Sequence, residues 1–436
     1  MAPLIETSQL EERTLLVGSY FAGRKRPLRS LEPAVEDTLA ELQQLALSAG
    51  AKVIGQVICR LERINPKSFI NKGKMEEIAQ TISVSNINLV IFDDELSPSQ
   101  NKSLEQALCV RVIDRRALIL DIFAKRARSS EGKIQVELAQ LMYILPRLTR
   151  MWTHLERQKG GIGLKGPGET QLELDRRMIR EKMRRLKTDL KRIENTRRLQ
   201  RDQRRKNAVP QIVLVGYTNS GKSTLFNRLT SSEVVAADQL FATLDPTTRR
   251  VKFEDRVEMV LTDSVGFIRK LPHELIEAFK STLEEAMTAD LLLHVIDCSD
   301  PLWESHKRAT EEVLAELGCL EKNILEVYNK IDRLSEGQLT LAQSTRRVFV
   351  SAREGRNLSV LVQKILSILS EGRRVIRLML PQGRGDLLAL VHREGKILEQ
   401  EFEADFVSMT AELPIQRVEQ WKKQGFVVVD DFQSGF

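Results

Sequence analysis

The chain alternates between short continuous apolar runs and longer segments whose apolar residues follow helical spacing. In the first part, continuous apolar runs predict four strands, at 14–21, 52–61, 87–95 and 110–120. Helical spacing predicts the segments between them as helices, at 33–49, 73–83 and 98–108. Strands that alternate with helices form a mostly parallel sheet with helices on its faces. We therefore expect an α/β domain over residues 1–130.

Two apolar stripes with the spacing 4, 3, 4, 3 follow. The first consists of Ile134, Leu138, Leu141, Leu145 and Leu148, and the second of Ile179, Met183, Leu186, Leu190 and Ile193. Each stripe lies on one face of a helix, and two such stripes form the seam of a helical hairpin. Pro146 predicts a kink in the first helix. We expect a hairpin over residues 131–208, either as a binding arm or as a strut between domains.

Five glycines between 160 and 168 lie near the predicted hairpin tip and include the pattern GxGxxG at Gly161, Gly163 and Gly166. A dinucleotide-binding loop with this pattern follows an apolar strand. Here the preceding residues, RMWTHLERQK, are polar with helical character. We therefore interpret the glycines as a loop whose bare backbone can approach RNA closely.

Beyond residue 208 the alternation of strand and helix patterns returns. Residues 209–372 begin with the apolar run QIVLV and predict a doubly wound sheet. Residues 373–436 give the order βαββαβ, which is typical of a small ferredoxin-like α+β domain. The second helix of that unit is predicted at PIQRVEQWKKQ.

The net charge of +7 is distributed unevenly. Residues 175–206 carry 15 Lys and Arg against 5 Asp and Glu, a net charge of +10, which leaves −3 for the rest of the chain. A one-sided excess of this size favours a polyanionic partner. A solvated helix face is the alternative, and it stays open at this point.

Cysteines and histidines give no sign of a disulfide framework or a zinc site. The cysteines are scattered, at Cys59, Cys109, Cys298 and Cys319, and the histidines lack ligand spacing, at His154, His273, His294, His306 and His392. The first residues contain acidic side chains before any apolar run, unlike a signal peptide. No apolar stretch approaches the roughly 20 residues of a spanning helix. We expect a cytoplasmic protein.

A phosphate-binding loop is predicted at GYTNSGKS, which fits GxxxxGK[ST] between a strand and a helical pattern. Its glycines let backbone N–H groups surround phosphates, its lysine reaches the β- and γ-phosphates, and its serine offers a hydroxyl to Mg²⁺. The loop residues are Gly216, Tyr217, Thr218, Asn219, Ser220, Gly221, Lys222 and Ser223.

Four further motifs follow in the order that a GTP site requires. DSVG ends a strand and offers a carboxylate near Mg²⁺ and an N–H to the γ-phosphate. NKID offers a carboxylate to the N1–H and exocyclic amine of guanine, and SAR offers a backbone N–H to guanine O6. FATLD falls where a switch is expected. Adenine lacks that donor pair, so GTP is favoured over ATP. The residues are Asp263, Ser264, Val265 and Gly266; Asn329, Lys330, Ile331 and Asp332; Ser351, Ala352 and Arg353; and Phe241, Ala242, Thr243, Leu244 and Asp245.

Two residues refine the expected mechanism. Phe267 stands where many small GTPases carry a glutamine that positions the attacking water, so we expect slow intrinsic hydrolysis completed by a partner or another loop. Asn219 either ligates K⁺ and supports catalysis or only holds the loop conformation. The predicted catalytic residues are Lys222, Thr243, Gly266 and Asn219, with Ser223 and Thr243 as Mg²⁺ ligands.

Six long strings of unusual sequence occur along the chain: FINKGKMEEI (69–78), FDDELSPSQ (92–100), VIDRRALILDIFAKRA (112–127), QVELAQLMYILPRL (135–148), GPGETQLELDRR (166–177) and GFIRKLPHELIEAFKSTLEEA (266–286). Through these strings the chain resembles the HflX family of translation-factor-related GTPases over nearly its whole length. One departure is Asn71, where the family pattern has glycine.

The resemblance implies a GTPase that binds the large ribosomal subunit and ribosomal RNA, and that splits stalled or heat-stressed ribosomes. It implies that the hairpin enters the ribosome near the peptidyl-transferase region. We expect no DNA partner, no integral membrane contact and a monomer when free. The alternative is a GTP-regulated RNA-binding or ribosome-assembly factor. ATP-dependent RNA remodelling, reported for some family members, would need a site outside the GTPase domain.

Overall fold

The computed structural model contains three sheets with their helices and a long helical hairpin. It describes residues 11–21, 34–148, 167–206, 209–230, 240–241, 246–253, 257–270, 275, 280–334, 344–370, 373–394, 396–403, 405–414 and 427–432. No helix within these ranges is long and apolar enough to cross a membrane.

The first sheet has four parallel strands in the order β2-β1-β3-β4. Its elements are β1 (Arg13–Phe21), α1 (Val35–Ala49), β2 (Lys52–Leu61), α2 (Lys72–Ser85), β3 (Leu89–Phe92), α3 (Pro98–Leu108), β4 (Arg111–Asp114) and α4 (Arg115–Arg126). Alternate residues of β1 enter two apolar clusters, one on each face of the sheet, with Leu16 in one and Leu15 in the other. The predicted α/β architecture is confirmed.

The predicted strand at 110–120 is wrong beyond Asp114. Asp114 caps a helix there, because its carboxylate accepts a hydrogen bond from the backbone N–H of Ala117 at 2.9 Å. Leu118, Ile119 and Leu120 are buried on α4 rather than in a strand. A short apolar run fits a buried helix as well as a buried strand, so spacing alone does not separate them.

The hairpin consists of α5 (Ser130–Ile144) and α6 (Pro167–Lys206), which pack against each other. Leu138 on α5 and Leu186 on α6 are buried, and Lys182 forms an ion pair with Glu137 across the seam. The predicted kink at Pro146 is wrong, because α5 ends at Ile144 before the proline. The glycine segment 160–166 lies outside the described residues.

The second sheet has six strands in the order β10-β9-β8-β5-β7-β6, all parallel except the edge strand β6. Its elements are β5 (Gln211–Val215), α7 (Lys222–Thr230), β6 (Thr247–Phe253), β7 (Val257–Asp263), α8 (Lys280–Thr288), β8 (Leu291–Asp297), α9 (Trp303–Glu316), β9 (Ile324–Asn329), a 3₁₀ turn (Ile331–Arg333), β10 (Arg347–Phe349) and α10 (Leu358–Ser370). Strands β5 and β8 are almost entirely buried, as expected for central parallel strands.

The third sheet is antiparallel, in the order β12-β13-β11-β14. It contains β11 (Arg373–Pro381), α11 (Gly385–Glu394), β12 (Lys396–Phe402), β13 (Phe406–Pro414) and β14 (Val427–Phe432). This order matches the predicted ferredoxin-like unit. The helix predicted after Pro414 falls on 415–424, outside the described residues.

Candidate nucleotide site

The predicted motifs meet at one edge of the six-stranded sheet. GYTNSGKS follows β5, DSVG begins at the last residue of β7, NKID begins at the last residue of β9, and SAR follows β10. The carboxyl ends of parallel strands meet at one edge, which is where open α/β sheets bind ligands. Strand order therefore places residues that are far apart in sequence around one site.

Two glycines of the phosphate loop hold conformations that other residues rarely adopt. Gly216 has φ +151°, and a Cβ there would lie 2.2 Å from the carbonyl oxygen of Val295. Gly221 has φ +91°, and a Cβ there would lie 2.2 Å from Nδ2 of Asn329. The loop therefore needs glycine at both positions for its turn and for its close approach to neighbouring strands.

Lys222 places a cation beneath the loop. Its Nζ donates to the carbonyl oxygens of Gly216 at 3.1 Å and Tyr217 at 2.7 Å. Burial lowers the pKa of Lys222 to about 8, with Asp263 opposing the shift and Lys330 adding to it. The ammonium is still charged at neutral pH, so it attracts phosphate from a site with little competing water.

Ser223 and Asp263 form a pair of oxygen donors beside this cation. The Ser223 hydroxyl donates to Oδ2 of Asp263 at 2.7 Å, and Asp263 is fully buried. Hydroxyl and carboxylate oxygens are the ligands that Mg²⁺ prefers. The residues present therefore fit Mg²⁺, which would neutralise phosphate charge during transfer.

The base-recognition residues are tied to the phosphate loop. Asn329 donates from Nδ2 to the carbonyl oxygen of Ser220 at 2.9 Å and accepts from the N–H of Ala352 at 3.0 Å. Asp332 accepts from the Ser351 hydroxyl at 2.6 Å through Oδ1. Asp332 thus offers the carboxylate expected to bind guanine, whereas the Ala352 N–H expected at guanine O6 donates to Asn329 in this structure.

Lys330 makes a second connection between the NKID motif and the phosphate loop. Its Nζ donates to the carbonyl oxygen of Asn219 at 2.8 Å and pairs with Oδ2 of Asp297 at 2.6 Å. Its backbone has φ +68°. The lysine therefore links the phosphate loop to the ends of β8 and β9.

Phe267 is 2 % exposed and packs in the apolar cluster of Val213 and Leu283. Its backbone pairs with the phosphate loop: Thr218 N donates to Phe267 O at 2.7 Å, and Phe267 N donates to Gly216 O at 3.0 Å. The ring therefore anchors the segment after DSVG in the core and has no group that could position water.

Several predicted site residues direct their side chains toward protein rather than toward a ligand. The Ser264 hydroxyl donates to the carbonyl oxygen of Leu214 at 2.5 Å, and the Phe241 ring packs on Phe123 with centroids 4.6 Å apart. Such residues can offer only their backbone to a nucleotide. The predicted residues Ala242, Thr243, Leu244 and Asp245 lie outside the described part of the chain.

Three residues without a predicted role contact Tyr217: Glu41, Arg269 and His306. A fourth, Lys270, lies in the segment after Gly266 and donates to Asp93. Arg269 and Lys270 fall within the string GFIRKLPHELIEAFKSTLEEA, but no motif marks Glu41 or His306. The fold alone brings these two to the phosphate loop.

The phosphate loop surrounds a buried lysine, Ser223 and Asp263 lie beside it as oxygen donors, and the NKID motif contacts the loop through Asn329. These features define a P-loop GTPase, an enzyme that hydrolyses GTP. Family comparisons agree: residues 36–124 match the model "GTP-binding GTPase N-terminal", 126–204 "GTP-binding GTPase Middle Region" and 211–330 "50S ribosome-binding GTPase".

Relatives extend this match to nearly the whole chain. A GTPase HflX of Caldanaerobacter subterraneus is 46 % identical over 87 % of this chain and 88 % of the relative. The GTPase HflX of Escherichia coli is 44 % identical over 96 % of this chain and 97 % of the relative. The chain belongs to the HflX family of GTPases.

A similar solved structure is a GTP-binding protein from Sulfolobus solfataricus in complex with GDP. It is 26 % identical, covers 83 % of this chain and 99 % of its own, and has a TM-score of 0.41.

Proposed function

We propose that this GTPase binds the large ribosomal subunit and splits ribosomes, including stalled and heat-stressed ones, in the cytoplasm. The observation that carries the proposal is α6, a 40-residue helix with a strong basic excess that precedes the GTPase sheet in the chain. The matching family model "50S ribosome-binding GTPase" supports the same partner.

The exposed basic residues of α6 support a contact with RNA. Arg180, Arg184, Lys187 and Lys191 are all exposed and spaced 4, 3, 4, so they lie along one face of the helix. The apolar stripe through Leu186 lies on a different face, where it packs on α5. Lysine and arginine on a rigid helix neutralise phosphates without reading sequence, which suits ribosomal RNA.

We propose that the chain has four functional parts with the boundaries predicted above. They are an α/β domain, an RNA-contacting hairpin, a GTPase domain and a C-terminal α+β domain. GTP binds residues 216–223, 241–245, 263–266, 329–332 and 351–353. Ser223 and Thr243 hold Mg²⁺, and GTP orders 232–250 and 263–280 so that the hairpin takes a ribosome-competent pose. Hydrolysis then releases the protein.

We expect hydrolysis to be faster in K⁺ than in Na⁺. Asn219 is exposed at the phosphate loop with φ +60°, and its side-chain amide oxygen is a donor of the kind that binds a monovalent cation. Such a cation would add positive charge beside the phosphates, at a site where Phe267 offers no polar group for catalysis. Turnover measured at equal ionic strength in KCl and NaCl tests this expectation. Equal rates would leave Asn219 with a conformational role only.

Incubation of intact ribosomes with the protein and a non-hydrolysable GTP analogue, followed by a sucrose gradient, tests ribosome splitting. We expect 70S-type particles to shift toward subunits with the analogue and to remain intact with GDP. If the protein binds naked ribosomal RNA or assembly intermediates but leaves intact ribosomes unchanged, the assembly role replaces the splitting role.

A further inference from the structure

Tyr217 belongs to the phosphate loop, yet its side chain faces the N-terminal domain. Its ring stacks on His306 with centroids 4.0 Å apart and an interplanar angle of 12°. Its hydroxyl donates to the carboxylate of Glu41 on α1. The same oxygen accepts from the backbone N–H of Arg269 at 2.9 Å and from its Nε at 3.3 Å. One hydroxyl therefore joins the phosphate loop, the N-terminal domain and the segment after DSVG.

Lys270 makes a second connection between the same two domains. Its Nζ donates to Oδ2 of Asp93 at 2.6 Å and to Oδ1 of Asp94 at 3.1 Å, just beyond the end of β3. Arg115, which is 1 % exposed, binds both Asp93, at 2.7 Å, and Glu41. Burial by itself would raise the pKa of Asp93, but Arg115 and Lys270 hold it below its ordinary value. The carboxylates that hold Tyr217 and Lys270 are thus fixed by one buried cation.

An apolar layer reinforces these polar contacts. Phe241, Ile268 and Leu275 are buried in the same cluster as residues of α1, α4 and α5. Phe241 precedes the predicted switch threonine, and the other two follow DSVG. Segments on both sides of the γ-phosphate position are therefore packed against the N-terminal domain.

In this arrangement Gly266 lies directly against the phosphate loop. A Cβ at Gly266 would lie 2.9 Å from Cα of Thr218 and 3.0 Å from Nζ of Lys222. The backbone of Tyr217 forms a bridge with Phe267. A γ-phosphate binds the DSVG glycine N–H and the P-loop lysine, and here the Gly266 Cα lies so near Thr218 and Lys222 that even a methyl group would not fit between them.

We propose that Tyr217 is a positioning residue that holds DSVG closed on the phosphate loop, and that the N-terminal domain thereby disfavours GTP relative to GDP. GTP binding shifts DSVG to make room for the γ-phosphate and orders it on the nucleotide, at the expense of the contacts of Arg269 and Lys270, so Glu41 and Asp93 report the γ-phosphate to the N-terminal domain. By linkage, a change at these contacts alters nucleotide preference. This proposal rests on the GTPase activity alone, so it can be tested separately from ribosome binding and splitting.

Tyr217→Phe and Lys270→Gln test the inference in the full-length protein without ribosomes. Tyr217→Phe keeps the ring on His306 and removes only the hydroxyl. Lys270 is part-exposed, so its replacement disturbs little packing. We expect each variant to bind a non-hydrolysable GTP analogue about five-fold more tightly, with GDP affinity changed less than about two-fold. Glu95→Gln is the matched control, because Glu95 follows Asp94 but binds Arg116 at 2.9 Å.

Hydrogen exchange of α1 supplies a readout that general destabilisation would not reproduce. We expect α1 amides to exchange faster with the GTP analogue than with GDP in the wild type, and this difference to vanish in Tyr217→Phe. An unchanged ratio of the two affinities in both variants would overturn the proposal. Equal weakening of both nucleotides would also overturn it, since Tyr217 would then only support the loop.

Discussion

Asp332→Asn is expected to weaken GTP binding by at least about 100-fold and to confer binding of xanthosine triphosphate. The Asp332 carboxylate accepts a hydrogen bond from the Ser351 hydroxyl at 2.6 Å, and we expect it to accept two donors of guanine as well. An amide would present an NH₂ group to one of those donors, which leaves a buried polar group unpaired. Xanthine carries an oxygen in place of the amine, so it restores the pairing with asparagine.

Equilibrium titration of fluorescent GTP, GDP and xanthosine nucleotides measures this exchange of specificity. Glu354→Gln is the matched control, because Glu354 lies in the same loop but pairs with Arg356 at 2.7 Å. We expect the control to keep GTP affinity within about two-fold. Loss of GTP binding without any gain for the xanthosine nucleotide would show that Asp332 supports the loop rather than reads the base.

Neutralising the basic face of α6 is expected to abolish stimulation of GTP hydrolysis by large ribosomal subunits. The variant replaces four exposed residues with glutamine: Arg180, Arg184, Lys187 and Lys191. Each cation that neutralises an RNA phosphate releases a bound counterion, so four lost contacts should reduce the salt slope of log K by about 3. Intrinsic turnover should not change, because none of the four residues lies in the GTP site.

Hydrolysis rates measured against subunit concentration, with K⁺ fixed and NaCl varied, give both the stimulation and the slope. A matched control neutralises four exposed or part-exposed basic residues of the N-terminal domain: Lys52, Lys72, Lys74 and Arg111. It changes the net charge equally and should retain stimulation. Full stimulation of the α6 variant would mean that the subunit is contacted elsewhere.

The sequence predicts which motifs meet at one edge of the sheet, because strand ends and motifs carry that information together. GYTNSGKS, NKID and SAR each follow or end an apolar run, and parallel strands bring such ends to one edge. The glycine requirement at Gly216 and Gly221 also follows from the motif, and their positive φ values match it. These features depend on local chemistry, which a single sequence displays.

The contacts of Tyr217 could not be predicted because they depend on how two domains meet. A tyrosine in a phosphate loop gives no sign that its hydroxyl binds Glu41, which lies 176 residues earlier. The sequence shows only part of the role of Phe267. That it cannot position the attacking water follows from its residue type, whereas its packing with Leu283 follows from the fold. The wrong strand at 115–120 has a local cause, the cap at Asp114, which competed with apolar continuity.

The long helix has a mechanical consequence. At about 1.5 Å per residue, the 40 residues of α6 span about 60 Å, and residues 207–210 alone separate its end from β5, the strand that leads into the phosphate loop. A stiff rod of that length acts as a lever: one degree of rotation at Lys206 sweeps Pro167 through about 1 Å. Movements too small to alter the packing around the phosphates would thus become ångström-scale strokes at the distant end.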